Sequence, residues 1–177
     1  MRVLVAYASK HGATREIAEH LAATLRSAGH AADARPVKDV RDPERYDAFV
    51  VGSAIFYGSW MKEATNFARR HANLLAERPT WLFSIGPLGR ELLDDEGRDL
   101  REAAKPKQID ELIELLAPRG HRVFFGALRR DTFSFCERLI AALPAGKELF
   151  PEGDFRDWED IEHWARRIAA ALTPTMA

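Results

Sequence analysis

The chain has 177 residues, 46% hydrophobic and 30% charged, with a formal net charge of −1. That composition suits one globular domain with a substantial core, excludes an extensively disordered chain, and gives no electrostatic pull toward nucleic acid. A single cysteine, Cys136, excludes an internal disulfide and fits a reducing compartment. The N-terminal apolar run is too short for a signal peptide. The longest uncharged run, Ala48 to Met61, is interrupted by Gly52 and Gly58 and falls short of a membrane span. The expected location is therefore the cytoplasm, with any membrane contact peripheral.

In chain order, the first strand is expected over Arg2–Ala8, where Val3, Leu4 and Val5 form a continuous apolar run. A polar loop, Ser9–Thr14, leads into a helix carrying Ile17, Leu21 and Leu25 at four-residue spacing, which stops before Gly29. Strands follow over Ala31–Val37 and Ala48–Ser53, the second again continuously apolar through Phe49, Val50 and Val51. A helix from Met61 to Ala76 is ended by Pro79, and a fourth strand covers Thr80–Ile85. The charge-rich stretch Arg90–Lys105 has few apolar anchors and reads as a loop or frayed helix. Pro106 opens a helix with Ile109, Leu112, Ile113 and Leu116 on one face. The fifth strand is expected over His121–Ala127, and a last helix, capped by Asp157, presents Ile161, Trp164, Ile168 and Leu172.

Alternating strands and helices with doubly apolar strands predict an α/β doubly wound parallel sheet, flavodoxin-like in order 2-1-3-4-5, with helices on both faces. One domain is expected over residues 1–177, with a surplus segment at 128–156 between the fifth strand and the last helix.

Ligands of such sheets bind beyond the carboxyl ends of the strands where the order reverses. Three loops converge there. The first, Ser9, Lys10, His11, Gly12, Ala13 and Thr14, brings unpaired helix-terminal amides and hydroxyl donors, a seat for a phosphate. The second begins at Ala54, Ile55, Phe56, Tyr57 and Gly58 and ends at Ser59 and Trp60. Its aromatic faces suit a flat heteroaromatic ring, each stack adding roughly 0.5–1.5 kcal/mol. The third, Ile85–Arg90, offers backbone amides and two glycines to the polar edge of that ring, with Ser84, Ile85, Gly86, Pro87 and Leu88 alongside it. A phosphate at one end and a ring at the other describe a mononucleotide, most naturally FMN. No G-x-G-x-x-G or P-loop pattern follows the first strand, which argues against a dinucleotide or ATP chemistry.

Ser9-Lys-His-Gly-Ala-Thr14 resembles the flavodoxin phosphate loop. With Val51-Gly-Ser-Ala-Ile-Phe-Tyr-Gly58, Gly126-Ala-Leu-Arg129 and Asp157-Trp-Glu159, it resembles the flavodoxin-fold branch containing the menaquinone-dependent protoporphyrinogen oxidases. The resemblance implies FMN as a two-electron acceptor, protoporphyrinogen IX as substrate and a quinone or protein redox partner. It also implies that the phosphate is held by residues 9–14 and the ring by 54–58 and 84–88. The flavin supplies the redox chemistry, so no separate catalytic residues are expected. In the family pattern a basic residue tends to stand where this chain has Phe56, and the surplus segment tends to be longer and more basic.

Other readings compete at several positions. Trp60 suits core packing as well as a ring contact, and His11 suits solvation as well as a phosphate. The remaining histidines show no metal-ligand spacing, so no metal is expected. The apolar stretch Phe133–Leu143 suits lipid, quinone or a second subunit, or folding back over the sheet edge. The alternative function is a flavodoxin-type carrier between protein partners. Such carriers are generally strongly acidic, and a net charge of −1 weakens that reading.

Overall fold

The computed structural model describes residues 1–86, 93, 96–128 and 152–173. The first half contains β1 (Arg2–Ala8), α1 (Ala13–Ser27), β2 (Ala31–Pro36), β3 (Ala48–Phe56), β4 (Ser59–Trp60), α2 (Lys62–Arg70) and α3 (Ala72–Glu77). The second contains β5 (Thr80–Ile85), α4 (Leu100–Ala103), α5 (Ile109–Leu116), β6 (Gly120–Phe124), β7 (Ala127–Leu128), β8 (Gly153–Asp154) and α6 (Trp158–Leu172). The five parallel strands run β2-β1-β3-β5-β6, which is the expected order 2-1-3-4-5.

Strand alternation divides the core between two faces. On one face Val3, Val5, Phe83 and Phe124 meet Ile17 and Leu21 of α1 and Trp164 and Ile168 of α6. On the other, Leu4, Phe49, Val51 and Leu82 meet Phe67 of α2, Leu75 of α3 and Leu112 and Leu116 of α5. Each fully buried side chain of this size contributes roughly 1.5–3 kcal/mol, so both helix layers are held by the strands' own apolar runs. The sheet positions its carboxyl ends, and the loops that leave them, on a rigid platform.

Helix ends follow local chemistry. His30 N–H donates to Leu25 C=O at 3.1 Å and Gly29 N–H to Arg26 C=O at 3.0 Å, a Schellman closure of α1. Asp157 caps α6 by accepting from Asp160 N–H at 3.0 Å, as the sequence implied.

Some boundaries differ from expectation. Strand two ends at Pro36, because Val37 begins a 3-10 turn over Val37–Asp39. The helix expected over Met61–Ala76 is two helices, parted at His71, whose ψ of 23° interrupts the regular turn. The helix after Pro106 begins at Ile109. The charge-rich stretch contains α4, capped by Asp99, whose side chain accepts from Arg101 N–H at 2.8 Å. Strand three runs past Ser53 to Phe56 and turns back as β4. The fifth strand stops at Phe124; Ala127 and Leu128 form a separate two-residue strand, β7, paired antiparallel with β8. The surplus segment therefore leaves and returns through one small ladder. Most of it, including Cys136 and Phe133–Leu143, lies outside the described residues. Among the described residues no helix is long and apolar enough to cross a membrane.

Candidate functional site

At the carboxyl end of β1 the chain must turn sharply into α1, and Gly12 makes that turn with φ +93°, a left-handed conformation disfavoured for residues with a Cβ. Gly12 N–H donates to Ser9 Oγ at 3.1 Å, which folds the loop onto itself. Among the described residues no side chain caps the first turn of α1, so its amides face outward with the positive end of the helix dipole. Thr14 is buried, 1% exposed, yet reaches the adjoining cavity. An uncapped helix end of this kind, opening on a cavity, fits a phosphate.

The second loop is a hairpin. Ile55 pairs with Trp60 and Phe56 with Ser59, leaving Tyr57 and Gly58 as its two-residue link. Their φ values of 50° and 72° are both positive, the signature of a type I′ turn. Asn-Gly is the usual occupant; here a tyrosine takes the first strained position and stands 83% exposed. Its ring meets Phe56 edge-on, centroids 4.8 Å apart at 81°. Over Phe56, at 3.9 Å from the ring centroid, lies the Lys10 ammonium, so the first and second loops touch through a cation–π contact.

Between these loops and β5 lies a cavity of about 370 Å³, within the size range of small-molecule sites. The first loop contributes Ser9, Lys10, His11, Ala13 and Thr14, and the second Ala54 to Tyr57. Ile85 and Gly86 close the β5 side. A hydroxyl-bearing helix start at one end and aromatic faces at the other fit a phosphate joined to a flat ring.

Three expected residues stand elsewhere. Ser84 faces away from the cavity: it is fully buried, accepts from Trp60 Nε1 at 2.7 Å and lies 2.8 Å from His121 Nε2. Strand alternation is the reason, since Ile85 takes the opposite face. Gly58 serves the turn, and its carbonyl accepts from Lys107 N–H at 2.9 Å. Gly12 lines the neighbouring cavity instead. Pro87 and Leu88 lie outside the described residues.

Gly126, Ala127 and Leu128 complete the cavity wall, and sequence reasoning named them only as a motif. The available signal was a Gly-Ala pair just beyond a buried strand at the sheet's carboxyl edge.

Behind the aromatic loop, Trp60, Ser84 and His121 form a hydrogen-bonded row across β4, β5 and β6. Trp60 can only donate, so the serine proton is available to His121 Nε2. Burial, reinforced by Lys105, lowers the His121 pKa to about 4 and keeps the ring neutral as an acceptor. A buried Trp60, 3% exposed, thereby pins the returning arm of the hairpin to the sheet.

Known proteins match this arrangement along most of the chain. Over 176 residues the chain is 29% identical to the protoporphyrinogen IX dehydrogenase (quinone) of Escherichia coli strain K12, covering 96% of this chain and 95% of that protein. Among solved structures, oxidised flavodoxin 1 from Bacillus cereus superposes with a TM-score of 0.62 at 15% identity, covering 98% of this chain and 100% of that one. A flavodoxin from the domain Archaea superposes with a TM-score of 0.60 at 16% identity, covering 97% and 98%. Those two likenesses are of fold. The family model described as flavodoxin domain matches residues 4–146, and on that match the chain belongs to the flavodoxin domain family.

Proposed function

We propose that the chain binds FMN in the cavity between the Ser9–Thr14 loop and the Tyr57 hairpin and works as an FMN-dependent oxidoreductase. In this reading protoporphyrinogen IX, or a tetrapyrrole like it, is oxidised, and a quinone-type acceptor is reduced. The observation that carries it is the joining of an uncapped helix start to an aromatic hairpin within one cavity. Similarity to the E. coli dehydrogenase along nearly its whole length supports the choice of substrate and acceptor. The same reading takes residues 1–177 as one domain acting in the cytoplasm.

Bound FMN would supply the redox chemistry. The protein's own part is binding and orientation. Amides of Lys10, His11, Ala13 and Thr14 and the Ser9 and Thr14 hydroxyls hold the phosphate, with the α1 dipole adding to the attraction. Phe56 and Tyr57 cover one side of the ring, and Ile85 and Gly86 bound the other. The Trp60–Ser84–His121 row keeps the hairpin at a constant height above the sheet. Tyr57, at the rim, screens the ring from water while leaving an edge for a second molecule.

Anaerobic mixing of the FMN-loaded protein with protoporphyrinogen IX, followed by menaquinone, tests the reading. Bleaching of the flavin and its recovery on adding the quinone are expected. A colourless protein that ignores added FMN would sink it. Rapid reduction by a flavodoxin reductase, with no response to protoporphyrinogen IX, would assign electron carriage between protein partners instead. Thr14→Val removes a donor to a charged group and should weaken FMN binding by about 1.5–3 kcal/mol in a fluorescence-quenching titration.

A further inference from the structure

Two more cavities adjoin the one described, and together they form a groove on the outer side of Phe56. The first, about 440 Å³, starts at Phe56 and Trp60 and runs along Met61, Lys62 and Glu63. The second, also about 440 Å³, continues from Met61 and Glu63 to Tyr7, Arg15, Val37 and Lys38 at the carboxyl ends of β1 and β2. Lys10 lines both of these and the flavin-sized cavity as well, so it stands where the three meet. The floor is apolar, built from Phe56, Trp60, Met61 and Val37. Along the walls stand Lys10, Arg15, Lys38 and Lys62 with one lining carboxylate, Glu63; behind them Glu19 pairs with Arg15 at 3.9 Å, and Asp39 acts on Tyr7, which leaves the lysines as the cationic excess. Such a combination of apolar floor and cationic walls selects a flat apolar body with anionic substituents.

Tyr7, a residue 6% exposed, lines the far end of the groove. Its hydroxyl has no hydrogen-bond partner among the described residues. Burial, with Glu19 adding to it, raises the phenol above its ordinary value, so the group stays a donor. The phenol opens on the groove, where it can donate to a ligand's acceptor.

We propose that this groove binds the carboxylate-bearing side of a tetrapyrrole, with Lys38 and Tyr7 gripping the carboxylates and the apolar macrocycle lying along Met61 toward Phe56. The assignment rests on the oxidoreductase reading above and adds which surface recognises the substrate. Lys38 and Tyr7 act in binding and orientation only. Phe56 is the partition between flavin and macrocycle, and Lys10 closes the junction over its ring.

The test uses the full chain loaded with FMN, titrated in non-ionic detergent with protoporphyrin IX and with its dimethyl ester, read by the porphyrin absorption band. The free acid should bind at least tenfold more tightly than the ester. Lys38→Glu should weaken the acid at least tenfold and Tyr7→Phe severalfold, while the ester responds to neither. FMN affinity should be unchanged in both, since neither residue lines the flavin cavity. Arg167→Glu, an equal charge change on α6, should leave porphyrin affinity unaltered. Equal weakening by Arg167→Glu, or no effect of Lys38→Glu, overturns the groove. A protein that protoporphyrinogen IX reduces, but whose porphyrin affinity ignores Lys38 and Tyr7, overturns the groove alone. A protein that binds FMN yet neither binds porphyrin nor is bleached overturns the oxidoreductase reading with it.

Discussion

Arg156 and Glu16 are 140 positions apart in the chain, and the guanidinium of one donates to the carboxylate of the other at 2.6 Å. Arg156 also grips Asp154 through two further bonds of 2.8 and 2.6 Å, and it lies 4.5 Å over the Trp158 ring. Its side chain is only 8% exposed. This clamp fastens β8, and through it β7, to the first turn of α1. Leu128 of β7 and Thr14 of α1 are two walls of the same cavity. The arginine therefore holds both ends of the surplus segment against the cavity.

Replacing Arg156 with Gln should destabilise the protein by about 1–3 kcal/mol. That lies between the surface and buried limits for an ion pair, because the two carboxylates remain partly exposed. Arg156→Lys should recover only part of the loss, since an ammonium cannot reproduce the fork. Urea unfolding reads the stability, and an FMN titration should show weaker binding in both variants. Equal stability of wild type and Arg156→Gln would remove the clamp from the account.

His121 makes stability depend on pH. Its folded pKa, lowered by burial to about 4, lies below the ordinary value near 6.5, so the unfolded chain takes up a proton first as pH falls. The contribution is complete above about pH 6.5, declines between there and about pH 4, and is exhausted below; it amounts to about 3 kcal/mol. His121→Gln should reduce the loss in unfolding free energy between pH 7 and pH 5 by about 2 kcal/mol. A variant that keeps the full wild-type slope would show that another group is responsible.

Gly52 lies in β3 opposite Phe83, whose ring fills the space a side chain would need. A Cβ there would come 2.1 Å from the ring. Phe83 also meets Trp164 at 6.3 Å between centroids, so it has little room to retreat. Gly52→Ala should lower stability by about 1–3 kcal/mol. Adding Phe83→Leu should return part of that, giving a coupling energy of at least about 0.5 kcal/mol in a double-mutant cycle. Strict additivity would mean that the strain is relieved elsewhere.

Tyr57 holds a backbone conformation that asparagine or glycine adopts more readily. Tyr57→Asn should therefore raise the stability of the FMN-free protein by about 0.5–1 kcal/mol while weakening FMN binding through loss of the ring. Thermal unfolding without cofactor and an FMN titration separate the two effects. A variant destabilised without FMN would contradict the strain assigned to the turn.

The fold was largely legible because its determinants are local. Val3–Leu–Val, Phe49–Val–Val and Trp81–Leu–Phe are apolar at every position, which only a strand covered on both faces tolerates. Gly29 and Asp157 mark helix ends through backbone chemistry confined to a few residues. The Ser9–Thr14 loop is equally local: a glycine at the start of an amphipathic helix produces the outward amides wherever the helix packs. From these features the sheet, its order and the loop that opens α1 could be read in the sequence.

Other features depend on what one segment meets far along the chain. Whether Ser84 or Ile85 faces the cavity is a matter of strand parity relative to Trp60 and His121, 24 and 37 positions away. The hairpin at Tyr57 arises because β3 continues past its buried stretch and β4 folds back onto it. Leu128 joins the cavity wall only because β8 pairs with β7 and Arg156 fastens that ladder to α1. The cationic groove is tertiary in the same sense, since Tyr7, Lys38 and Met61 share no local pattern. Local sequence set the propensities and hydrogen-bond needs of each segment; the packing of distant segments selected which side chains share a cavity.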